Sequence, residues 1–455
     1  MTGGVRVFIK SETGIALILS IAYIALSYPL FLKVYDTSRE IIDEEFHLRQ
    51  GKHFCYGSFG IWDEKITTFP GLYIITALLL PKKLCTVFYM RALSLIFSAV
   101  NVFLIYKIRA YRHDKNVPFK LALESISLAI LPPMYFFAHL YYTDIISITM
   151  VLALYYFWMK GSHGKAAIYG CCCILMRQTN VVWVAMFLGI SALRIINEVC
   201  EKGKSRNVQR NNLQKIMMNC FKVISNFKLL QKCLICIFRD LWGYIIIICG
   251  FLIFVLYNGS IVVGDKSAHT AFLHLPQLLY FSLFILLFGF GFVLPKLTET
   301  VNYMKKHYCF MIILIILGLI IVKYNTIVHP YLLADNRHYT FYVWNRFYSK
   351  NAFRYAMVPI YLFALVCVQI YLKDITEFQI MFHISLFIVL CFQRLLEIRY
   401  FLIPFVIFKL NVNIKLQYLL LEIAYYLTIN FLVFNVFFTK QIYWSDRNDV
   451  QRLLW

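Results

Sequence analysis

Long runs of apolar residues constrain the fold of this chain more than any other feature of its sequence. The first run, Thr13 to Tyr35, supplies roughly the 20 residues that a helix needs to cross a bilayer, and comparable runs recur up to residue 438. Of the 455 residues, 61% are hydrophobic and 15% are charged, which gives more apolar surface than a soluble fold could bury. We therefore predict an all-α polytopic membrane protein, a single domain over residues 1–455, with about 11 to 14 transmembrane helices.

The distribution of positive charge predicts the orientation of these helices. The net charge is +22, but basic residues collect in short loops such as Lys107 to Lys115, which is typical of cytosolic loops. By this pattern the N-terminus is cytosolic, Thr86 to Tyr106 returns to the cytosol, and the loop after the first helix lies on the far side. A polar stretch at about 196–240, with nine Lys or Arg and three acids, is predicted to be a basic cytosolic insertion. No basic stripe is interleaved with stacking aromatic residues, so we expect contact with membrane lipid and not with nucleic acid.

The cysteines do not indicate a disulfide framework or a metal site. Most of the 13 cysteines lie inside apolar runs, and Cys171 to Cys173 are adjacent residues that cannot pair locally. We interpret them as small membrane-embedded residues. Cys233 and Cys236 form a single C-x-x-C without a second pair or nearby histidines, so zinc binding or redox chemistry is not favoured.

A dense polar stretch, Ile41 to Gln50, follows the first apolar run directly and contains three carboxylates, an imidazole and a guanidinium. A solvated face next to the membrane would explain such a stretch if it stood alone. The predicted topology, however, brings further polar clusters to the same side of the membrane, and each has a simple local explanation of its own. These clusters contain Asp144, Arg177, Asp265, Asp335 and Glu397. One shared site on that face is the simplest explanation for all of them together.

Carboxylates beside Arg, Lys and His suit group transfer from a lipid phosphate donor. A carboxylate takes the proton from an incoming hydroxyl as the general base. Cations hold the departing phosphate and stabilise the negative charge that develops on it. Because phosphate leaves without a proton donor, one base is enough, unlike the two carboxylates of glycoside hydrolysis.

Several ordered segments also carry a family resemblance. They are Asp43-Glu44 with Phe46-His47, Trp62-Asp63 through Lys65-Ile66-Thr67-Thr68 to Pro70-Gly71-Leu72-Tyr73, Arg177-Gln178-Thr179-Asn180, Gly264-Asp265-Lys266-Ser267 to His274-Leu275-Pro276-Gln277, His329 to Tyr339, and Arg399-Tyr400-Phe401 with Pro404. Through these segments the chain resembles the endoplasmic-reticulum glucosyltransferases that add the terminal α-1,2-linked glucose to the dolichol-linked oligosaccharide.

This resemblance implies a GT-C-like fold with the catalytic carboxylate in the first lumenal loop of a multi-pass protein of the endoplasmic-reticulum membrane. It implies dolichyl-phosphate glucose as donor, a diglucosylated dolichyl-diphosphate oligosaccharide as acceptor, and inversion at the anomeric carbon. No nucleotide sugar, cofactor or metal is expected. The sequence departs from the family pattern at Glu45, where an apolar residue is expected, and at Glu64, where proline is expected.

The resemblance and the charge clusters together give a set of candidate site residues. Asp43 is the predicted general base on the 2-hydroxyl of the acceptor glucose, with Glu44 as the alternative base or a sugar ligand. The predicted phosphate partners are Arg177, Lys266, Arg337 and Arg399, supported by His269, His329 and His338. The other predicted substrate-binding residues are His47, Trp62, Asp63, Gln178, Asn180, Asp265, His274, Asp335, Asn336, Glu397 and Tyr400.

Two other functions stay open from the sequence. A related enzyme that uses dolichyl-phosphate mannose is one, because the two hexoses differ in a single hydroxyl that no residue spacing here can distinguish. A polytopic transporter is the other, since charges near the membrane also mark ion pathways. A transporter would favour charges at helix centres and inverted repeats, and the sequence shows neither clearly.

Overall fold

Helices form nearly all the regular structure of the computed structural model, which describes residues 11–112, 117–201, 213–266, 272–444 and 450–455. Within those ranges there is no β-strand, only two isolated bridges, His338 with Leu454 and Ile442 with Gln451. The prediction of an all-α chain is therefore confirmed. The candidate residue His269 lies outside the described residues.

The first part of the chain, up to residue 258, forms eleven described α-helices. They are α1 (Glu12–Thr37), α2 (Glu44–Cys55), α3 (Gly71–Leu79), α4 (Val87–Arg112), α5 (Pro118–Ala129), α6 (Pro132–Phe137), α7 (Thr143–Met159), α8 (His163–Met176), α9 (Val181–Glu201), α10 (Leu213–Ser225) and α11 (Phe227–Asn258). A short 3-10 turn, Gln178–Asn180, joins α8 to α9. The described part of the predicted polar insertion is thus mostly helical, and α11 begins inside it.

The second part of the chain forms eleven more described α-helices. They are α12 (Pro276–Phe288), α13 (Phe290–Val293), α14 (Leu297–Lys306), α15 (Tyr308–Asn325), α16 (Pro330–Ala334), α17 (Tyr339–Val343), α18 (Asn351–Ala356), α19 (Val358–Leu372), α20 (Thr376–Cys391), α21 (Leu402–Lys409) and α22 (Leu416–Thr439). The 3-10 turns Leu294–Lys296 and Ile398–Phe401 and a π-helical turn Trp344–Tyr348 connect some of them.

Seven helical segments in the described ranges are long and apolar enough to cross a membrane. They are Glu12–Thr37, Val87–Arg112, Gln178–Glu201, Phe227–Asn258, Tyr308–Asn325, Asn351–Leu372 and Leu416–Thr439. An eighth is added if Pro276–Phe288 and Phe290–Lys306, which bend by 82° around Gly289, count as one span. The chain therefore has the composition of a polytopic membrane protein.

Helix α4 carries polar networks at both ends. Arg91 lies in its first turns and Arg109 near its end, about 27 Å apart at 1.5 Å per residue. At the far end, Arg109 Nε donates to Glu124 Oε2 of α5 at 2.7 Å and Nη1 donates to the carbonyl of Val412 at 2.8 Å. Lys409 pairs with Glu422 of α22 at 2.5 Å beside this network. The two ends of α4 are thus separated by roughly one bilayer core.

One disulfide, between Cys55 and Cys85, joins the end of α2 to the segment that precedes α4. The other eleven cysteines are free. The interpretation of the cysteines as membrane-embedded residues is therefore wrong for this pair. Their separation of 30 residues gives no local signal, because only the packing of α2 against the membrane helices brings the two thiols together.

Candidate active site

Asp43 lies on a strained loop immediately before α2. The preceding residue, Ile42, has φ of 50°, a left-handed conformation that is costly for a β-branched side chain. The carbonyl of Asp43 accepts the amides of Phe46 and His47, but its carboxylate does not cap the helix. The side chain is 51% exposed, and its Oδ2 lies 3.7 Å from Nη2 of Arg399. The carboxylate of Asp43 is therefore available to a substrate.

The surroundings of Asp43 raise its pKa above the ordinary value. The main cause is desolvation, because the side chain sits in a recess of the protein although half of it is accessible. Glu397 raises the pKa as well, whereas the positive charges of Arg399, His338 and Arg337 lower it. A carboxylate whose pKa is raised in this way is a better proton acceptor than a free aspartate.

Arg399, on the 3-10 turn after Glu397, is the centre of the charged cluster. Its Nη2 lies 2.7 Å from Glu397 Oε2, and its Nη1 lies 3.7 Å from Asp144 Oδ2. The guanidinium also faces the ring of Tyr142, with 5.3 Å to the centroid. Burial alone would lower the pKa of Arg399, but the carboxylates of Glu397, Asp144 and Asp43 raise it well above its usual range.

Arg177 approaches the same cluster from the turn between α8 and α9. Its Nη2 lies 3.2 Å from Asp144 Oδ1, and its Nε donates to Thr143 Oγ1 at 3.1 Å. Asp144 therefore stands between the guanidinium groups of Arg177 and Arg399. Because a guanidinium has five N–H donors in a planar fork, both arginines retain donors for a phosphate.

Glu44, the neighbour of Asp43, points the other way and is fully buried. Arg91 of α4 donates to both of its oxygens, from Nε to Oε1 at 2.8 Å and from Nη2 to Oε2 at 2.6 Å. The same carboxylate accepts the amide of Tyr141 at 2.8 Å and that of Ile41 at 3.3 Å. Because these hydrogen bonds occupy both carboxylate oxygens, Glu44 has little capacity to accept a further hydrogen bond from a substrate hydroxyl.

Arg91 also holds the backbone ahead of Asp43. Its Nη1 donates to the carbonyl of Ser38 at 3.2 Å and its Nη2 to the carbonyl of Arg39 at 2.5 Å. The side chain of Arg91 therefore hydrogen-bonds to the loop both before Asp43, at Ser38 and Arg39, and after it, at Glu44.

His47 and two tyrosines form the wall beside Asp43. His47 Nδ1 shares a hydrogen bond of 2.7 Å with the hydroxyl of Tyr73, and its ring meets that of Tyr142 edge-on. Burial lowers the pKa of His47 to about 3, with Arg399 and Arg177 acting in the same direction. His47 is therefore a neutral imidazole at physiological pH.

Trp62 and Asp63 tie the loop after α2 back onto that helix. Trp62 Nε1 donates to the carbonyl of Ile66 at 3.2 Å, and its ring packs near those of Phe54 and Tyr73. Asp63 Oδ2 lies 3.2 Å from Arg49 Nη2. An aromatic surface therefore lies beside the wall that His47 and Tyr73 form.

Gln178 and Asn180 are buried and support the turn that carries Arg177. Gln178 Nε2 donates to the carbonyl of Thr67 at 2.8 Å. Asn180 Nδ2 donates to Ser147 Oγ at 2.8 Å and to the carbonyl of Cys173 at 2.7 Å. These contacts favour positioning of Arg177 over direct substrate binding.

Asp265 and Lys266 lie on a segment that packs along the loop around Glu64. The amide of Asp265 donates to the carbonyl of Glu64 at 2.8 Å. Gly264 has φ of 66°, and a Cβ there would come within 2.5 Å of that carbonyl oxygen, so the contact requires glycine. Lys266 Nζ donates to the carbonyl of Asn258 at 2.6 Å, and the ion pairs described for Arg177 and Arg399 do not include it.

Two of the candidate histidines, His274 and His329, are buried. His274 is 1% exposed, its amide donates to the carbonyl of Cys391 at 2.6 Å, and burial lowers its pKa to about 4. His329 is also buried. They directly precede α12 and α16, and their burial favours a role in packing the starts of these helices over a role in binding substrate.

The segment Asp335–His338 forms a second charged group near the first. Arg337 donates to Asp335 from Nε at 2.9 Å and from Nη2 at 2.8 Å, and it stacks on Trp444. Asn336 Oδ1 accepts the indole N–H of Trp444 at 2.9 Å. Burial would raise the pKa of Asp335, but the hydrogen bonds from Arg337 and the charge of His338 lower it.

Glu397 and Tyr400 complete the central cluster. Burial would raise the pKa of Glu397, yet the charges of Arg399, His338 and Arg177 bring it below its ordinary value. Burial and the charge of Glu397 raise the pKa of Tyr400, so its hydroxyl stays protonated.

No group of three or more His, Cys, Asp or Glu side chains in the described part of the chain is arranged to hold a metal ion.

Comparison with known proteins places the chain in a family. The model of the DIE2/ALG10 family matches residues 37–410, which include Asp43, Asp144, Arg177, Glu397 and Arg399. The chain belongs to the DIE2/ALG10 family. The family resemblance stated from the sequence is confirmed.

Similar proteins from several organisms carry the name Dol-P-Glc:Glc(2)Man(9)GlcNAc(2)-PP-Dol alpha-1,2-glucosyltransferase. The protein from Drosophila melanogaster is 44% identical over 96% of this chain and 99% of its own length. A protein from Homo sapiens is 35% identical over 91% of this chain and 93% of its own length. No solved structure matches the chain.

The site of this DIE2/ALG10 family member contains residues that the sequence did not single out. Arg91 and Tyr142 are these residues, and together with Tyr73 they contact the loop of Asp43 or line its wall. Asp144, which belongs to one of the predicted polar clusters, joins the two arginines. Arg91 had a detectable signal, because it is a lone cation inside the predicted span Thr86 to Tyr106. Tyr142 had none, since aromatic residues are frequent throughout the chain, whereas Tyr73 belongs to a segment that carries the family resemblance.

Proposed function

We propose that this protein transfers glucose from dolichyl-phosphate glucose to the terminal glucose of a diglucosylated dolichyl-diphosphate oligosaccharide, forming an α-1,2 bond. The names of its relatives supply the donor and acceptor. The observation that carries the proposal is the approach of an accessible carboxylate, Asp43, to the paired guanidinium groups of Arg399 and Arg177.

Asp43 is the general base in this reaction. It removes the proton of the acceptor 2-hydroxyl while the oxygen forms a bond to the anomeric carbon of the donor glucose. Its accessibility and its raised pKa support this role. The burial of Glu44 against Arg91 supports a structural role for Glu44.

Arg399 and Arg177 bind the phosphate of the donor. As the bond between the anomeric carbon and the phosphate oxygen breaks, dolichyl phosphate leaves with the electron pair, and the guanidinium groups stabilise its charge. Attack from the face opposite the leaving phosphate inverts the anomeric carbon. The carboxylates of Asp144 and Glu397 hold both arginines in place for this step.

The disulfide supports a lumenal location for the site. Disulfides persist in oxidising compartments such as the endoplasmic-reticulum lumen and are rare in the cytosol. The Cys55–Cys85 bond belongs to α2, whose first turn follows Asp43, whereas Arg109 and Arg112 lie at the other end of α4. Helix α9 leads away from Arg177 for about 31 Å toward α10, which supports a cytosolic insertion at about 196–240.

A GT-C-like fold with about 11 to 14 crossings belongs to the same proposal. The apolar helices α7 and α20, of 17 and 16 residues, are too short for the seven spans counted by length but would add crossings to them.

Transfer in microsomes tests the function. Microsomes that lack the endogenous activity receive this chain, labelled dolichyl-phosphate glucose and the diglucosylated acceptor, and addition of a third glucose is the expected result. Asp43→Asn should abolish transfer, whereas Asp36→Asn, an exposed aspartate at the end of α1, is the matched control and should leave it unchanged. Near-normal transfer by Asp43→Asn rejects the role of Asp43. Transfer of labelled mannose in place of glucose, or solute uptake without transfer, rejects the proposed reaction.

A further inference from the structure

The end of the described chain packs against the charged segment Asp335–His338. We call residues 442–444 and 450–455 the C-terminal strap. Ile442 and Gln451 pair in an antiparallel bridge, with main-chain hydrogen bonds of 3.0 and 2.9 Å. The C-terminal strap lies outside the family-matched range 37–410.

Arg452 anchors the C-terminal strap to the membrane bundle. Its side chain is buried, and its Nη1 donates to the carbonyl of Phe438 at 2.9 Å in the last turn of α22. The last carbonyls of a helix have no partner within the helix and attract cations. Leu453 and Leu454 are buried beside it. The strap is therefore fixed to the end of α22 by hydrogen bonds, and its last apolar side chains are buried.

The C-terminal strap then holds the backbone on both sides of His338. The amide of Leu454 donates to the carbonyl of Arg337 at 2.8 Å, and the amide of Tyr339 donates to the carbonyl of Leu454 at 3.0 Å. Gln451 Oε1 accepts a hydrogen bond from Arg337 Nη1 at 3.0 Å. His338 is thus held in a parallel bridge that joins two distant parts of the sequence.

The strap also fixes the ring of His338. Its Nδ1 lies within hydrogen-bond distance, 3.2 Å, of the main-chain oxygen of Trp455, and its Nε2 lies 3.7 Å from Asp335 Oδ2. The ring of Trp455 packs 5.2 Å from that of Tyr339. With Nδ1 engaged by the strap, Nε2 faces the carboxylate of Asp335, and His338 lies close enough to Asp43 and Glu397 to act on them electrostatically.

We propose that the C-terminal strap is a positioning element of the active site, which holds His338 so that its Nε2 contacts the phosphate of the polyprenyl phosphate. This inference rests on the proposed function for the identity of the donor. Arg337 is bound to Asp335, Gln451 and Trp444, so it serves as a support for this segment and His338 makes the contact.

Replacement of Arg452 tests the strap. In Arg452→Met the strap loses its anchor, and we expect faster hydrogen exchange at the amides of Tyr339 and Leu454. We also expect affinity for dolichyl phosphate to fall about tenfold, the effect of weakening one charge-assisted hydrogen bond. The KM for the donor should rise with it, while kcat stays within about twofold, because a phosphate contact kept in the transition state gives uniform binding.

Two variants provide the controls. Arg452→Lys keeps a donor for the helix carbonyl and should restore part of the affinity. Tyr443→Phe changes a residue of the strap that is 72% exposed and should alter neither exchange nor affinity. Should Arg452→Met fail to fold, Gln451→Leu and its conservative partner Gln451→Glu replace it, since only the second retains an acceptor for Arg337.

Three outcomes overturn the proposal: unchanged exchange in Arg452→Met, faster exchange with unchanged affinity for dolichyl phosphate, or a fall in kcat at constant KM. The binding measurement uses dolichyl phosphate without a sugar. If the wild-type chain transfers no glucose, the proposed function fails, while binding and exchange still decide the role of the strap.

Discussion

Arg91 and Glu44 form an ion pair with two hydrogen bonds, of 2.8 and 2.6 Å, in which neither side chain is exposed to solvent. The pair joins α4 to the loop of Asp43, and the bond from Glu44 to the amide of Tyr141 extends the connection to the segment before α7. The positions of two acidic residues of the cluster, Asp43 and Asp144, therefore depend on this one buried contact. Removal of either partner would leave the other charge buried without compensation.

We predict that Arg91→Met destabilises the protein by about 3 to 5 kcal/mol, the usual effect of leaving one buried charge unpaired. The variant should lose transfer activity, because the carbonyls of Ser38 and Arg39 also lose their donor. Thermal unfolding of the detergent-solubilised protein measures the change. Arg239→Met, at an exposed arginine of α11, is the matched control and should unfold like the wild type. Equal stability of Arg91→Met and the wild type would refute the stabilising role of the Arg91–Glu44 pair.

We predict that Glu44→Gln retains most of the transfer activity per folded molecule while it lowers stability by about 3 to 5 kcal/mol, because the charge of Arg91 stays buried without a counter-charge. Glutamine keeps an acceptor for Arg91 but loses the charge of the pair. A general base would respond differently, with about 10²- to 10⁴-fold loss of kcat at nearly constant stability. Initial rates normalised to folded protein, measured beside Asp43→Asn, distinguish the two acids. If Glu44→Gln shows the larger loss of kcat, the assignment of the base is reversed.

We predict that kcat/KM falls on acidification at a higher pH than an unperturbed aspartate would give. The reason is that Asp43 must be ionised to accept a proton, and its pKa is raised mainly by desolvation and further by Glu397. Glu397→Gln removes one raising charge and frees Arg399, so the acidic limb should move to lower pH. Rates at a series of pH values with subsaturating donor measure the shift. A limb that moves upward in Glu397→Gln contradicts the assignment.

The raised pKa of Asp43 also determines how this residue changes the folding stability with pH. Because the pKa of Asp43 is higher in the folded than in the unfolded state, protonated Asp43 favours folding. This contribution is complete below the unfolded pKa and is lost as the pH rises through the folded value. Asp43→Asn should therefore be at least as stable as the wild type at neutral pH.

We predict that Arg399→Met weakens binding of dolichyl phosphate by about 10- to 100-fold, because charge-assisted hydrogen bonds to the phosphate are lost. Arg399→Lys should recover only part of the affinity, since an ammonium cannot replace the bidentate fork. Binding to the detergent-solubilised protein gives the measurement. Unaltered affinity in Arg399→Met would exclude this arginine as a phosphate partner.

We predict that Cys55→Ala/Cys85→Ala lowers the unfolding free energy by about 3 to 4 kcal/mol, the chain-entropy value for a loop of this size. The double variant should also lose activity at temperatures where α2 separates from α4. Thermal unfolding and maleimide labelling with and without reductant provide the measurements. Rapid labelling of Cys55 in the unreduced wild type would show that the bond is absent.

The sequence predicts those features of the structure that depend on the order of apolar and charged segments, and it does not predict those that depend on packing. Asp43, Arg177 and Arg399 stand between apolar runs, so charge placement and topology alone predict that they share one face. Gln178 and Asn180 belong to the same family segment, but their buried hydrogen bonds to Thr67 and Ser147 depend on packing that no spacing reveals.

Contacts between residues that are far apart in the sequence could not be predicted from it. Cys55 and Cys85 look like any other pair among 13 cysteines, and Arg91 can be recognised as unusual without revealing its partner. The C-terminal strap has no motif of its own. Its hydrogen bonds to Arg337, His338 and Tyr339 form only because α22 returns the chain to the site.

The left-handed backbone of Ile42 has a consequence for the assembly of the protein. A conformation that costs about 1 to 3 kcal/mol persists only where its neighbours impose it, and here those neighbours come from α4 and from the hydroxyl of Tyr142. A newly synthesised chain therefore positions the carboxylate of Asp43 only after these distant helices have packed against its loop. A partly folded copy would lack a positioned general base, so it would be inactive and would not transfer glucose to a wrong hydroxyl.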